Sequence, residues 1–160
     1  MQSSLTENEM LYPVLSALRT GYETGDFSSL FPFLASDCVM ESMWVLTPNT
    51  GYDAVVEYLT GKGRTLARNG CFPCCTFVEL VGSLNPVRSA SLSLNGGAPS
   101  RGSVGLAYKD GKLCLYMSQT LNGETHGVIV DVRLDADGMV KRIDLCMPEL
   151  FNFRKSPSFD

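Results

Sequence analysis

His126 is the residue best suited to acid–base chemistry, because it is the only histidine in the chain. Its imidazole titrates near neutral pH, so it can act as a general acid, a general base or a hydrogen-bond partner of a ligand. An Asn-Gly pair at 122–123 predicts a two-residue hairpin that places Gln119 directly across from His126. Gln119 can then hold the imidazole tautomer or contact the same ligand. The simpler interpretation is a strand-end histidine, partly solvated beside the turn.

Three turn sequences predict a four-stranded antiparallel meander in the second half of the chain. They are KDGK at 109–112, LNGE at 121–124 and DADG at 135–138. A two-residue turn fixes the cross-strand partners on either side of it. The first two turns predict the pairs Tyr108–Leu113, Leu106–Leu115, Val104–Met117, Met117–Val128, Leu115–Val130 and Leu113–Val132. With Ala136–Asp137 as the third turn, the predicted pairs are Leu134–Met139, Val130–Ile143, Val128–Leu145, His126–Met147 and Asp131–Arg142.

These registers divide the sheet into two faces, since directly paired residues share a side. One face is almost wholly apolar and must be covered by helices. The opposite face is mixed polar and aromatic, and we expect it to be solvated or to contact a second copy of the chain. The residues predicted for that contact are Tyr116, Asp131, Arg133, Arg142 and Asp144.

Two helices are predicted before the first strand. Apolar residues at helical spacing from 11 to 22 predict the first, and Pro13 predicts that it begins late or is kinked there. Residues 27–34 predict a short second helix with Asp26 as its N-cap.

A third helix is predicted over residues 49–70, with Thr50 and Asp53 as a capping pair. Residues 75–84 and 88–94 read as extended, the latter from a strict alternation of apolar residues and serines.

The stretch CVMESMWVL at 38–46 predicts a strand whose even-numbered residues point inward. Glu41 points the other way, so a solvated carboxylate is expected there. We predict a mostly apolar ligand pocket between the helices and the sheet. Its predicted residues are Met40, Ser42, Trp44, Tyr108, Met117, Gln119, His126 and Met147.

Composition excludes several classes of protein. The 160 residues carry a net charge of −4 without a lysine or arginine cluster, so nucleic acid is not expected as a partner. No run of about 18 apolar residues suggests a membrane span. The polar N-terminus does not resemble a signal peptide, and a cytoplasmic location is expected.

Cys71, Cys74 and Cys75 contain a C-x-x-C spacing, but the other three of the six cysteines are scattered singly. A tetrahedral zinc site needs a second ligand pair at suitable spacing. We therefore expect reduced thiols, without a metal or a cofactor.

Three stretches carry a resemblance to the NTF2-like superfamily: GYETGDFSSLFPFLASDCVMES, GYDAVVEYL and THGVIVDVRLDADGMVKRIDL. The resemblance implies an α+β cone in which three N-terminal helices pack on a curved, mainly antiparallel sheet. It also implies one domain over residues 1–160, a pocket between helices and sheet, and a homodimer formed through the outer sheet face.

Ketosteroid isomerase and the SnoaL-type polyketide cyclases are the enzymes of this superfamily that the chain resembles in pattern. The resemblance places Ser42, Leu18 and Val130 where the isomerase has its aspartate base, its tyrosine and its protonated aspartic acid. None of these three can do the original work, because serine is no base near neutral pH and leucine and valine donate no proton. Isomerase machinery of that kind is not expected.

The sequence therefore predicts a protein that binds a small organic molecule in a mostly apolar pocket. One alternative is a SnoaL-like isomerase, cyclase or dehydratase that uses His126 as general acid–base, with Gln119 or Tyr108 as electrophilic partner. Another is a protein-interaction module that acts through the outer sheet face.

Overall fold

The computed structural model describes residues 6–42, 47–71, 78–80, 103–109, 111–121 and 124–146. The backbone alone is described at 78–80, 103, 118–121, 124–127 and 146. In chain order the elements are helix α1 (Glu7–Thr24), a 3₁₀ helix (Ser28–Phe33), β1 (Leu34–Ser42), β2 (Asn49–Thr50), α2 (Tyr52–Asn69), β3 (Val78–Leu80), β4 (Ser103–Lys109), β5 (Lys112–Leu121), β6 (Glu124–Leu134) and β7 (Val140–Cys146).

The described strands form one sheet in the order β2-β1-β7-β6-β5-β4-β3. Strands β4 to β7 form the predicted antiparallel meander. The pairs β1–β7 and β3–β4 are parallel, so the sheet is mainly antiparallel. The predicted strand at 88–94 lies outside the described residues, and of the predicted strand at 75–84 only β3 is described.

Two long helices and one short 3₁₀ helix take the place of the three predicted N-terminal helices. Helix α1 begins six residues before Pro13, because Thr6 and Glu9 form a capping box at its start. Asp26 is not the N-cap of the next helix, although its carboxylate accepts a hydrogen bond from the Ser28 N–H. That helix is 3₁₀ in form; Pro32, which has no N–H, removes one of the few α-type bonds that so short a segment could make.

The predicted capping pair of Thr50 and Asp53 is wrong. Thr50 belongs to β2 and pairs with Val39 of β1, which removes it from the cap position. Gly51 is the N-cap of α2, with φ at 97° and its N–H donating to the Cys38 carbonyl. A positive φ favours glycine, so the helix start is set by backbone conformation in place of a side-chain cap.

The predicted registers of β4–β5 and β5–β6 are confirmed for every predicted pair except Leu113–Val132, which is not among the bridges that join β5 to β6. The predicted register of β6–β7 is wrong by two residues. The loop is not a two-residue turn: the Asp135 N–H donates to the Met139 carbonyl, and an irregularity follows Arg133. Val130 therefore pairs with Leu145, and His126 lies before the first described bridge of this pair.

The same correction changes the charged pairs on the outer face. Asp131 lies opposite Asp144, and Arg133 lies opposite Arg142, so the predicted Asp131–Arg142 pair does not form. The shift is even over the pairs from Ile129–Cys146 to Arg133–Arg142, so these residues keep the face that the sequence assigned to them. The irregularity after Arg133 changes the alternation, and Val140 is buried in the main core.

The main core lies between the helices and the inner face of the sheet. It includes Leu15 and Leu18 of α1, Leu59 of α2 and Val130 of β6, all fully buried. A second, smaller cluster lies on the outer face and consists of Ala107, Cys114, Tyr116 and Ile129. The outer face is thus partly apolar and buried within the chain itself.

Candidate functional site

The structure places the predicted pocket residues in different surroundings. Met40 and Met117 are buried in the main core, while Ser42 is half-buried at the end of β1. Gln119 and His126 face each other across β5 and β6 in backbone register. Trp44 and Met147 lie outside the described residues.

A groove of about 430 Å³ lies between α1 and the β4–β5 hairpin, and Tyr108 is the predicted pocket residue that lines it. We call this cavity the α1–β4 groove. Its lining is mostly apolar. The described lining residues are Asn8, Glu9, Tyr12, Leu106, Tyr108 and Leu113. The sequence reasoning missed Asn8, Glu9 and Tyr12, although Tyr12 stands out as an aromatic residue beside the apolar stripe of α1.

Asn8 joins the start of α1 to the β4–β5 hairpin. Its Nδ2 donates to the Gly111 carbonyl at 2.9 Å, and its Oδ1 accepts from the Leu113 N–H at 2.9 Å. Two hydrogen bonds from one amide fix both the distance and the orientation between helix and hairpin. Asn8 therefore sets the width of the groove at this end.

Glu9 supplies the carboxylate of the groove. Its Oε1 accepts a hydrogen bond from the Thr6 N–H at 2.9 Å, and its own N–H donates to the Thr6 hydroxyl. This capping box holds the side chain in place while leaving the residue exposed to solvent. In the described part of the chain, Glu9 has no ion-pair partner.

Two phenol rings line the groove, one from the helix and one from the sheet. Tyr12 lies on α1 with 54% of its surface exposed. Tyr108 lies on β4, is half-buried and packs against the main core. An exposed aromatic residue beside a half-buried one is typical of a surface that receives a ligand.

The interior between α1 and α2 holds a second group of titratable side chains. Burial, and secondarily the neighbouring Tyr58, raises the pKa of Tyr22 far above its ordinary value. Burial likewise raises the pKa of Tyr58 and lowers the pKa of Lys62 on α2. The Tyr22 ring meets Phe27 edge-on with centroids 5.1 Å apart. Both phenols stay protonated at neutral pH, so they act there as polar but uncharged groups.

Like charges line up in rows across the outer face. Glu41, Asp144 and Asp131 form an acidic row over β1, β7 and β6, because Glu41 pairs with Asp144 and Asp144 with Asp131. Arg142 and Arg133 form a basic row two residues away along the strands. The predicted dimer-face residue Tyr116 is instead buried in the outer apolar cluster of the single chain.

Ion pairs connect the two rows, along β7 and diagonally between β7 and β1. Arg142 donates through Nε to Asp144, at 3.0 and 3.1 Å to its two oxygens, and through its terminal nitrogen to Glu41. Glu41 was expected to be a solvated carboxylate, and it is instead paired with this guanidinium. Burial alone would lower the pKa of Arg142, but the hydrogen bond and charge of Asp144 and the charge of Glu41 outweigh it and raise that pKa.

The described residues offer neither a metal-ion site nor a helix that could cross a membrane. Residues 6–42, 47–71 and the described strands contain no group of three or more side chains arranged to hold a metal ion. Neither α1 nor α2 is apolar enough over its length to cross a membrane. Cys71 is a half-buried free thiol whose Sγ lies 3.7 Å from the Leu66 carbonyl, and Cys74 and Cys75 lie outside the described residues.

Comparison with known proteins finds relatives in structure alone. No protein-family model matches the sequence, and no curated protein matches it. The chain is similar to an NTF2-like protein from Anabaena variabilis, with a TM-score of 0.51, 12% identity, and coverage of 92% of this chain and 94% of that one. It is also similar to a ketosteroid isomerase-like protein from Kribbella flavida, with a TM-score of 0.51, 13% identity, and coverage of 91% and 83%.

The chain therefore has the NTF2-like fold, which the sequence resemblance implied. At these identities the likeness concerns the fold, and a shared fold does not carry a shared activity. Leu18 and Val130, the positions that the resemblance matched to two isomerase groups, are fully buried apolar residues of the core.

Proposed function

We propose that this protein binds a small organic molecule and that the α1–β4 groove is the binding site. The observation that carries the proposal is the groove itself, a cavity of about 430 Å³ between helix and sheet. Ligand sites generally measure about 300–1,000 Å³ and are mostly apolar, with a few polar groups that orient the ligand. Leu106 and Leu113 supply the apolar floor, and Glu9 and the two tyrosines supply the polar groups.

The fold supports the same proposal. One structural neighbour is a ketosteroid isomerase-like protein, whose description implies an organic substrate. This chain has Leu18 and Val130 at two of the places where such an enzyme needs proton donors. We therefore propose binding without isomerase chemistry.

The test is a fragment screen by ligand-observed NMR on three proteins: the wild type, Tyr12→Ala and Tyr52→Ala. Tyr12 and Tyr52 are the two exposed large hydrophobic residues of the described chain, at 54% and 37% exposure, and only Tyr12 lines the groove. We expect fragments that bind the wild type and Tyr52→Ala and lose at least about fivefold in affinity on Tyr12→Ala, as removal of an aromatic contact predicts.

Equal binding to all three proteins would place the ligand elsewhere and contradict the groove as the site. A screen without any binder would contradict the function itself. Thermal melts of both variants serve as the control, and we expect them to stay close to the wild type because both side chains are exposed.

A second candidate function is acid–base catalysis by His126. It is favoured by one observation, the backbone register that sets Gln119 opposite His126. The NMR titration of the His126 C2 proton tests it. A pKa shifted by at least one unit, and restored in Gln119→Leu, supports a tuned acid–base pair. An ordinary His126 pKa that is the same in the wild type and in Gln119→Leu would contradict this function.

We also propose that two copies pair through the charged half of the outer face, which is formed by the acidic and basic rows. The two sheets would face each other across a two-fold axis. If this axis runs parallel to the rows, midway between the acidic row and the basic row, the acidic row of one copy lies over the basic row of the other. Such self-complementarity is what an isologous interface requires. A docked protein of a different kind is the alternative for the same surface.

A further inference from the structure

We infer that the ligand of the α1–β4 groove is an organic cation, an ammonium group carried on an apolar body. The inference rests on the proposed function, because it names the chemical class of ligand for that same groove.

The described lining of the groove carries a negative charge. Glu9 contributes a carboxylate, and none of the six described lining residues is a lysine or an arginine. Lys112, at the start of β5, has its Nζ 3.2 Å from Asp131 and 3.9 Å from Glu7. Lys112 is therefore held by two carboxylates outside the groove, and Glu9 remains for a ligand cation.

The partial positive charge at the N-terminus of α1 reduces this negative charge but does not reverse it. A helix N-terminus carries the equivalent of roughly half a positive charge. Glu9 lies in the first turn and carries about one negative charge, which exceeds the helix contribution. The capping box also occupies the N–H groups of Thr6 and Glu9, so fewer donors remain for an anionic ligand.

The tyrosine rings favour a cation over a neutral polar group. Tyr12 and Tyr108 both line the groove, one from the helix and one from β4. The face of a phenol ring attracts an ammonium ion, and each such contact improves affinity by about two- to fivefold at an exposed site. The apolar floor of Leu106 and Leu113 then accommodates the rest of the molecule.

The experiment compares three probes that share one phenylpropyl body and differ in the head group: trimethylammonium, hydroxyl and carboxylate. Affinities are measured by NMR titration of the full chain at physiological ionic strength. We expect the ammonium probe to bind about tenfold more tightly than the alcohol, the combined effect of two ring contacts and one carboxylate. The carboxylate probe is expected to bind most weakly.

Two charge-neutralising variants localise the effect. Glu9→Gln keeps the capping box, because glutamine also serves at this position. We expect it to weaken the ammonium probe by about three- to fivefold and to leave the alcohol unchanged. Glu7→Gln removes the same charge from the same helical turn but from a residue that does not line the groove, and a change below about twofold is expected.

The outcomes separate the two claims. If the alcohol binds as well as the ammonium probe and both are lost on Tyr12→Ala, the groove binds ligands but the cation preference is wrong. Equal responses of Glu9→Gln and Glu7→Gln also overturn the inference, since the groove carboxylate then has no special part. If none of the three probes binds at millimolar concentrations, both the inference and the proposed function fail.

Discussion

Two glycines of α2 have opposite surroundings although they stand two positions apart. A Cβ added at Gly63 would lie 2.2 Å from the Gly25 carbonyl oxygen, at the end of α1. A Cβ added at Gly61 would meet only the end of the Arg64 side chain, at 3.9 Å. Gly63 therefore allows the two long helices to approach closely, and Gly61 has no such packing role.

This contrast predicts that alanine substitutions at Gly63 and Gly61 change the free energy of unfolding in opposite directions. Gly63→Ala forces the backbones apart and is expected to lower the free energy of unfolding by about 1–3 kcal/mol. Gly61→Ala gains helix propensity without a clash and is expected to raise it by about 0.5–1 kcal/mol. Urea unfolding of both variants against the wild type measures the difference. Stabilisation by both substitutions would contradict the close helix contact.

The burial of Tyr22 predicts that the protein loses stability at alkaline pH. Burial raises its pKa in the folded protein above the unfolded value of about 10. The unfolded chain therefore ionises first as pH rises, so the stabilisation is complete below about pH 10 and is lost above it. We expect the free energy of unfolding to fall between about pH 9 and 11, and to fall less steeply in Tyr22→Phe. Equal slopes in the two proteins would show that Tyr22 is not buried as described.

The residues of the groove show which single positions the sequence could and could not predict. Tyr108 follows from hairpin register, a local rule that needs only the Asp-Gly turn. Asn8 joins the same groove through hydrogen bonds with residues more than one hundred positions away, and Glu9 lines the groove as its neighbour on α1. No periodicity or turn signal reports a contact of that range, so these residues emerge only from the folded chain.

At the scale of elements, strand pairing was predictable where a two-residue turn connects the two strands. The β4–β5 and β5–β6 pairs follow from Asp-Gly and Asn-Gly sequences. The β6–β7 pair does not, because the Asp135 side chain accepts hydrogen bonds from the N–H groups of Asp137 and Met139 and builds a longer loop. The sequence DADG is compatible with a two-residue turn and with the longer loop. The hydrogen bonds that the Asp135 side chain accepts from the backbone favour the longer loop.

The corrected register makes Arg142 the central ion-pair residue of the outer face. Arg142→Gln leaves Glu41 and Asp144 side by side without their guanidinium, and Asp144 is only 18% exposed. We expect a loss of about 1–2 kcal/mol in the free energy of unfolding, reduced by solvent at the more exposed Glu41. The matched control is Arg133→Gln, whose side chain is 62% exposed and 4.0 Å from Asp144, with an expected loss below about 0.5 kcal/mol.

Chemical denaturation at low and high salt measures both variants. The Arg142 effect should shrink as salt rises, since part of it is screened charge. Equal losses from the two substitutions would contradict the diagonal pairing of the rows.

At the scale of the whole molecule, element order predicted the fold better than any single residue did. Helices before a meander, with one apolar face on the sheet, led to the NTF2-like resemblance, and the structural comparison confirms that fold. The parallel pairing of β1 with β7 was not predicted, because parallel partners are joined by long connections that leave no local turn signal in the sequence. The extent of the domain over all 160 residues stays a prediction.

The charged rows predict the oligomeric state. We expect the wild type to sediment as a dimer, and Arg133→Glu to shift it toward monomer by placing an acidic residue in the basic row. Arg133 is exposed, so the variant should keep the melting temperature of the monomeric fold. A wild type that is monomeric at all concentrations would contradict the proposed pairing.

Backbone amide NMR of the full chain with the phenylpropyl trimethylammonium probe tests the central claim most directly, because it shows where a ligand sits. The account predicts concentration-dependent shifts at Tyr12, Leu106, Tyr108 and Leu113, which surround the α1–β4 groove. Shifts confined to Gln119, His126 and their neighbours on β5 and β6 would contradict it, and would place the ligand beside the only histidine of the chain.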